Sequence, residues 1–395
     1  MKEPIILAID TSCDETSAAV TCGRRILSNI ISSQTDLHKK YGGVYPALAK
    51  RAHEERIDFV IKEALKQACK TLRCKWKEGS SLIQAIAVTQ GPGLAIALEV
   101  GIRKAKELAT GCGWEMKNRL GSKSEKRVKP KINSSPIPTP NSQSSLHSHL
   151  PLIAINHLEG HIYSCFAQNS QGNPQREITF PSLCLIVSGG HTLLALMTDH
   201  GQYQTLGSTL DDACGEALDK GARILQLGYP GGPIIERLAE EYFFSHPRFS
   251  PNEIPFKLPL LPKNNLNFSY SGLKTQLLYL VQKTPPQKLG ENLHFFAAAF
   301  QEACFEQLAR KTSLAIDLYQ PKNLICGGGV TANSRLRQLL RQLGRKKQIP
   351  VFFPPFKKLA TDNAAMIGLT AHDKFLRGEF VENINELDRL PRLSL

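Results

Sequence analysis

The 395-residue chain has no C-x-x-C pair. Its ten cysteines are scattered, with Cys69 and Cys74 the closest two. Such spacing supports no cysteine-rich zinc site, and dispersed thiols in a long chain read as a reducing compartment. No apolar stretch approaches the roughly 20 residues needed to span a bilayer. The start, MKEPIILAID, is apolar for only a few residues before Asp10, so it reads as a first strand and not a secretory leader. The expected location is cytoplasmic, away from any membrane. A Walker A sequence is absent, and CGGGVTAN does not match G-x-G-x-x-G. Acidic residues are few beside basic ones, 35 against 49, for a net charge of +14. That imbalance favours a polyanionic partner, nucleic acid first.

The length exceeds one comfortable hydrophobic core, so two domains are expected. The spacing predicts buried strands at IILAI, SAAVTC and LIQAIAVT. A broad-faced helix falls over 44–70, and another runs through ALEVGIRKAKELAT to Gly111. Residues 113–150 break this rhythm. They are rich in Ser, Pro, Asn and Lys and carry seven Lys/Arg against two Glu, a basic low-complexity insertion. From 151 the alternation resumes: LIAIN as a strand, HLEGHIYSCFAQ as a helix, SLCLIVSGGHTLLALM as two strands about a glycine turn. GEALDKGARILQLG is then a helix, YPGGP a loop, NLICGGGVTANSRLRQLLRQLG a strand, glycine loop and helix, and TDNAAMIGLTAHDKFL a last helix. The expected fold class is α/β, with domains over 1–112 and 151–370. A C-terminal helix of about 371–395 completes the first.

Three turns have phosphate-binding character: DTSCDETS at 10–17, SGGHT at 188–192 and CGGGVTANSRL at 326–336. Consecutive glycines let backbone N–H groups converge on one anion, and a helix N-terminus adds its dipole. Taken together, a hairpin with a nearby acid in each half and a third glycine loop resemble the actin-like ATPase superfamily, which includes Hsp70 and the sugar kinases. The resemblance implies two actin-like (ASKHA) domains about a central cleft that clasps a nucleotide.

His157 and His161 lie four apart and share one helix face. Glu159, at i+2, points about 200° away from His157. In H-E-x-x-H zinc proteases the acid directly follows the first histidine, so Glu159 sits on the wrong face for that chemistry. Asp362, at the start of the last helix, is by itself an N-cap. With the two imidazoles it makes a set of two histidines and one carboxylate that leaves open positions, suited to iron or zinc.

NHLEGHIYS, VSGGHT, DDACGEALDKGARILQLGYPGGP, NFSYSGLKT, GGGVTANSRLR and TDNAAMIG follow one another at sensible spacing. In these six motifs the chain closely resembles the TsaD family, bacterial tRNA threonylcarbamoyladenosine transferases once called glycoproteases. The resemblance implies transfer of threonylcarbamoyl from threonylcarbamoyl-AMP to N6 of adenosine 37 in tRNAs that read codons starting with A. It implies one divalent metal, Fe(2+) favoured and Zn(2+) the alternative, on His157, His161 and Asp362. It also implies contacts to the donor, or to ATP or ADP in the cleft, from Ile186, Val187, Ser188, Gly189, Gly190, Asp219, Gly232 and Asn333. The partners it implies are the tRNA anticodon loop, a paralogous TsaB-type subunit and a TsaE-type ATPase. His191 and Asp14, polar residues of the glycine turns, are the candidates for proton transfer. The insertion departs from the family pattern, as do Cys214, Leu218 and Glu99. The competing readings are a metalloprotease of the O-sialoglycoprotein endopeptidase kind and a non-catalytic ATP-binding paralogue. The paralogue should lack the metal set, which this chain keeps.

Overall fold

The computed structural model describes residues 3–74, 80–111, 149–247, 255–258 and 264–395. Nearly all of the expected insertion, 113–148, lies outside the described residues. Its flanks do not: the Leu150 N–H donates to the Ala109 carbonyl at 2.9 Å, so the chain leaves and re-enters the fold at one point.

Two five-stranded sheets organise the molecule. The first contains β1 (Ile5–Asp10), β2 (Glu15–Cys22), β3 (Arg25–Ser33), β4 (Ala85–Gly91) and β5 (Leu152–Asn156), in the order β3-β2-β1-β4-β5. β2 runs antiparallel to β1 and β3, whereas β1, β4 and β5 are parallel. The second contains β6 (Ser182–Val187), β7 (Thr192–Asp199), β8 (Gln202–Ser208), β9 (Asn323–Gly327) and β10 (Val351–Phe352), in the order β10-β9-β6-β7-β8. Its pairings repeat those of the first strand for strand. The hairpins β1–β2 and β6–β7 are thus equivalent, and each carries one of the predicted anion turns.

One expectation is corrected here. Residues 152–156 do not begin the second domain but pair with β4 as the last strand of the first sheet. Ile153 and Ile155 are fully buried. A parallel strand needs cover on both faces, and only the first sheet offers it a free edge at β4.

Helices sort into three layers. α2 (Pro46–Leu72) and α3 (Ala95–Ala109) cover the outer face of the first sheet around Val60, Ile61, Leu65 and Leu108. α1 (Thr35–Lys39) precedes α2. Glu99 of α3 pairs with Lys50 of α2 at 3.4 Å. On the outer face of the second sheet lie α5 (Cys214–Ile224), α6 (Gly231–Ser245), α7 (Ser271–Lys283), α8 (Pro286–Glu291), α9 (Leu293–Tyr319) and α10 (Ser334–Lys347). Between the sheets lie α4 (His157–Tyr163) and α11 (Ala364–Arg377). Their shared core joins Ile6 and Ala19 of one sheet to Ile186 and Ile325 of the other.

This middle layer is crossed. α4 follows the last strand of the first sheet yet packs on β6 and β9 of the second, while α11 follows the second sheet and packs on β1 and β2 of the first. Glycine permits the approach: a Cβ on Gly160 would meet Met366 Cγ at 3.1 Å, and one on Gly368 would meet Thr21 Oγ1 at 2.6 Å. The expected C-terminal helix ends at Arg377, where Gly378 adopts φ +73° as a left-handed cap. Beyond it the chain is largely irregular and runs back over the first sheet. Val381 N–H donates to the Leu152 carbonyl (2.8 Å) and Leu390 N–H to that of Gln90 (2.8 Å), and Leu387 enters the outer core.

Candidate active site

The site forms where the two inner helices begin. Asn156 caps α4 by accepting from Leu158 N–H at 2.9 Å, which fixes the first turn and with it His157. His161 follows one turn later, and the two rings stand edge to face with centroids 4.8 Å apart. At the start of α11 the cap is Asn363, whose side chain accepts from Met366 N–H. The expected capping role of Asp362 is thus taken by its neighbour, and the Asp362 carboxylate is left to face α4. Its Oδ1 lies 3.3 Å from His157 Nε2 and 3.3 Å from His161 Nε2. Despite these distances, neither ring nitrogen of His161 has a hydrogen-bond partner of proper geometry, nor has His157 Nδ1, and all three atoms are buried.

Buried imidazole nitrogens without partners are costly unless something else binds them. Two nitrogens and a carboxylate oxygen, all within 4.8 Å of one another, fit a divalent transition metal by donor type and convergence. Charge follows the same geometry. Burial disfavours the imidazolium of His157, but Asp362 and Asp10 outweigh it and push the group up to about 9. Burial keeps His161 low, with His157 adding to the effect. Burial also opposes ionisation of Asp362, yet the two histidines hold its carboxyl well below the usual range.

Asp10, which sequence reasoning passed over, stands behind His157, with Oδ1 3.8 Å from Nδ1. The same oxygen accepts from Thr89 Oγ1 at 2.8 Å and Ser12 N–H at 3.2 Å, while Oδ2 is buried without a partner. The available signal was an acid ending a fully apolar first strand. Asp14 and Glu15 crowd the same turn. Burial first, then Asp14 and Asp362, hold the Glu15 carboxyl well above its ordinary value. Burial and the same acids raise the Cys13 thiol, which makes it a poor nucleophile.

The second hairpin supplies the opposite wall. Its turn is tight: Ser188 N–H donates to the His191 carbonyl at 2.8 Å, and His191 N–H to Ser188 Oγ at 3.1 Å. Gly189 and Gly190 are exposed, and a Cβ on either would meet nothing within 4 Å, so the turn presents open backbone. Ile186 and Val187 have fully buried side chains and can offer a ligand only main chain. His191 feels the charge of His157, His161 and Asp362. Burial, with His157 and His161 beside it, pushes its ring down to about 4, so it is neutral at physiological pH. The third glycine loop closes on the same place: a Cβ on Gly327 would strike the His161 carbonyl at 2.4 Å, and Gly329 approaches Thr361.

The remaining predicted residues divide by what they touch. Asp219 Oδ1 accepts from Gly231 and Gly232 N–H at 2.7 and 3.1 Å, tying α5 to the start of α6. Gly232 itself has open space above it. Asn333 is nearly buried and caps α10 through Arg335 and Leu336 N–H. Its amide donates to Gln301 Oε1 at 2.8 Å, so it holds the third loop from beneath. Burial, and then Asp14 and Asp219, raise the Tyr229 phenol. Glu159 faces away from the triad. It accepts from Tyr203 Oη at 3.2 Å and lies 3.7 Å from Lys374.

A family model described as TsaD, tRNA N6-adenosine threonylcarbamoyltransferase, matches residues 25–116 and 143–369. The chain belongs to the TsaD family. Relatives of that name cover the TsaD chain almost end to end. The one from Moorella thermoacetica is 41% identical over 98% of this chain and 97% of its own length. That from Gloeothece citriformis is 42% identical over 98% and 96%, and that from Thermomicrobium roseum 43% over 95% and 93%. The TsaD match omits 117–142, within the basic segment. Among solved structures, full-length HypF in its phosphate- and nucleotide-bound form aligns with 95% of this chain and 47% of its own. The TM-score is 0.54 and the identity 12%, a likeness of fold alone. With the repeated sheets, it gives this TsaD chain the expected actin-like (ASKHA) architecture.

Proposed function

We propose that this chain transfers the threonylcarbamoyl group of threonylcarbamoyl-AMP to N6 of adenosine 37 in tRNAs that read codons starting with A. The observation that carries the reading is the meeting of His157, His161 and Asp362, beside a second hairpin whose turn is open at Gly189 and Gly190. A peptidase needs its acid beside the histidines, and Glu159 instead bonds Tyr203. The Gly189 and Gly190 amides receive the adenylate phosphate, as glycine turns receive anions. Asp219 and Gly232 face the nucleoside, while Asn333 and Ile186–Val187 keep the loops in register. His157, His161 and Asp362 hold one divalent cation, Fe(2+) favoured and Zn(2+) the alternative. When bound there, the cation supplies a Lewis acid for the carbamoyl oxygen or the threonine carboxylate.

The reaction forms the bond from N6 to the carbamoyl carbon and breaks that carbon's bond to the phosphate oxygen, releasing AMP. The N6 proton must leave, and His191 or Asp14 takes it. An anticodon loop presents unstacked bases, so the adenine can enter the cleft. A TsaB-type subunit on the first lobe and a TsaE-type ATPase complete the cytoplasmic assembly. The test supplies purified chain, those partners, unmodified tRNA and threonylcarbamoyl-AMP, and analyses nucleosides by mass spectrometry. Modified adenosine is expected, and its absence with active partners sinks the reading. His157→Ala should abolish product and release bound metal, and retention of both would remove the triad from the site.

A further inference from the structure

α10 carries Arg337, Arg341 and Arg345 at four-residue spacing, hence on one face. Two other cations of this helix are neutralised: Arg335 pairs with Glu302 at 2.7 Å and Lys347 with Asp317 at 2.6 Å. Among the described residues, no acid pairs with Arg337, Arg341 or Arg345, nor with Lys357 and Lys358 on the short turn before Asp362. Arg345 can be explained by the helix dipole, which favours cations in the last turn. Arg337 cannot, because it sits in the first turn, where the dipole opposes it. It is held by aromatic and main-chain contacts instead. Arg337 and Arg341 lie 5.1 and 5.4 Å from the Phe353 ring, and Arg337 Nε donates to the Thr331 carbonyl. Arg337 Nη2 is buried with no partner. Burial, then Arg341 and Arg176, push the Arg337 guanidinium down.

The row also has a direction. Thr331 belongs to the third glycine loop, Asn333 caps the same helix, and Lys358 precedes Asp362 by four residues. One end of the row is therefore tied to the third glycine loop. Phe356, 40% exposed, falls in sequence between Phe353, on which Arg337 and Arg341 lie, and the two lysines. Arg337 to Arg345 spans about 12 Å of helix, enough to face about three phosphates of one strand.

We propose that the Arg337–Arg341–Arg345 face of α10, continued by Lys357 and Lys358, is the track along which the tRNA phosphate backbone lies as its anticodon loop enters the cleft, with Phe356 stacking an unpaired base. This rests on the transfer reading. Unneutralised, aromatic-backed arginines bind phosphate well, and an exposed ring beside them accepts a base without regard to sequence.

The test measures binding of an unmodified tRNA transcript to the full chain by fluorescence anisotropy over a range of KCl concentrations. Arg341→Glu with Arg345→Glu should weaken binding at least tenfold and reduce the slope of log affinity against log salt by about 2, one per phosphate contact. Arg341→Lys with Arg345→Lys should keep the slope. Phe356→Ala should weaken binding with the slope unchanged. Arg51→Glu with Arg310→Glu, an equal charge change on the exposed sides of α2 and α9, controls for net charge and should alter neither. Matching thermal midpoints exclude misfolding. Unaltered affinity and slope in the glutamate variant overturn the proposal. So does intact tRNA binding with loss of an acidic protein partner. Binding is read without turnover, so a chain that holds tRNA by this track yet makes no modified adenosine sinks only the transfer reading.

Discussion

Glu159 shows how much a single residue's place depends on the helix that carries it. Spacing alone put it off the histidine face, and the structure gives it a separate task between Tyr203 and Lys374. Glu159→Ala should therefore cost about 1–2 kcal/mol of stability, the price of a buried bond lost. Bound metal should stay near the wild-type level, measured by denaturant melts and metal content. A variant that melts normally but loses its metal would return Glu159 to the site. Gly232 and Gly189 make the opposite case. A methyl at either position meets no neighbour. Gly189→Ala and Gly232→Ala should fold with unchanged midpoints yet bind nucleotide at least about tenfold more weakly, roughly 1.4 kcal/mol. Titration calorimetry with ATP checks this, and unchanged affinity would place the nucleotide elsewhere. The triad was legible because i, i+4 histidines and a helix-initial acid are strong local patterns. Asp10 was not, because an acid closing a buried strand gains its meaning only from His157, which lies far along the chain and is brought beside it by the fold.

At the scale of elements, the paired motifs explain one another. Asp211 of DDACGEALDK reaches the start of α7, in NFSYSGLKT. It accepts from Ser269 Oγ at 2.5 Å, Tyr270 N–H at 2.7 Å and Ser271 Oγ at 2.7 Å. Asp212 beside it binds Lys220 and Lys274 at 2.5 and 2.7 Å. Two distant motifs thus clamp α5 to α7. Burial raises the Asp211 carboxyl, but the Ser269, Tyr270 and Ser271 bonds outweigh it and hold the group below its ordinary value. A depressed folded-state value means the contribution is present above the unfolded value, about 3.9, and lost as pH falls through the folded one. Asp211→Asn should cost about 1 kcal/mol at pH 7. The gap to wild type should close as pH drops below about 4, and a gap that persists in acid would refute the clamp. Strands and long helices were legible from period. YPGGP was misread as a loop because glycine and proline usually break helices, yet α6 begins at Gly231. Pro233 lies in its first turn, where a missing N–H costs nothing.

The molecule as a whole is a repeated fold whose halves have exchanged inner helices. Each inner helix packs on the sheet it does not follow, so the two sheets bury their inner faces in one shared core. Calorimetry should show one cooperative unfolding transition for the full chain, with calorimetric and van't Hoff enthalpies in agreement. Two resolved transitions would mean that the lobes are independent. This exchange was beyond reach of the sequence, since periodicity tells a helix which face to bury but not against which sheet. The joint at Ala109 and Leu150 is the reverse of such interdependence. There the frame has already been closed by its own hydrogen bond, and the two strands of chain emerge side by side. Length is free at that point in a way it is free nowhere in the crossed core. A lineage can lengthen, shorten or replace the segment without renegotiating the catalytic geometry, and an engineer can splice a reporter or a tether into the same gap.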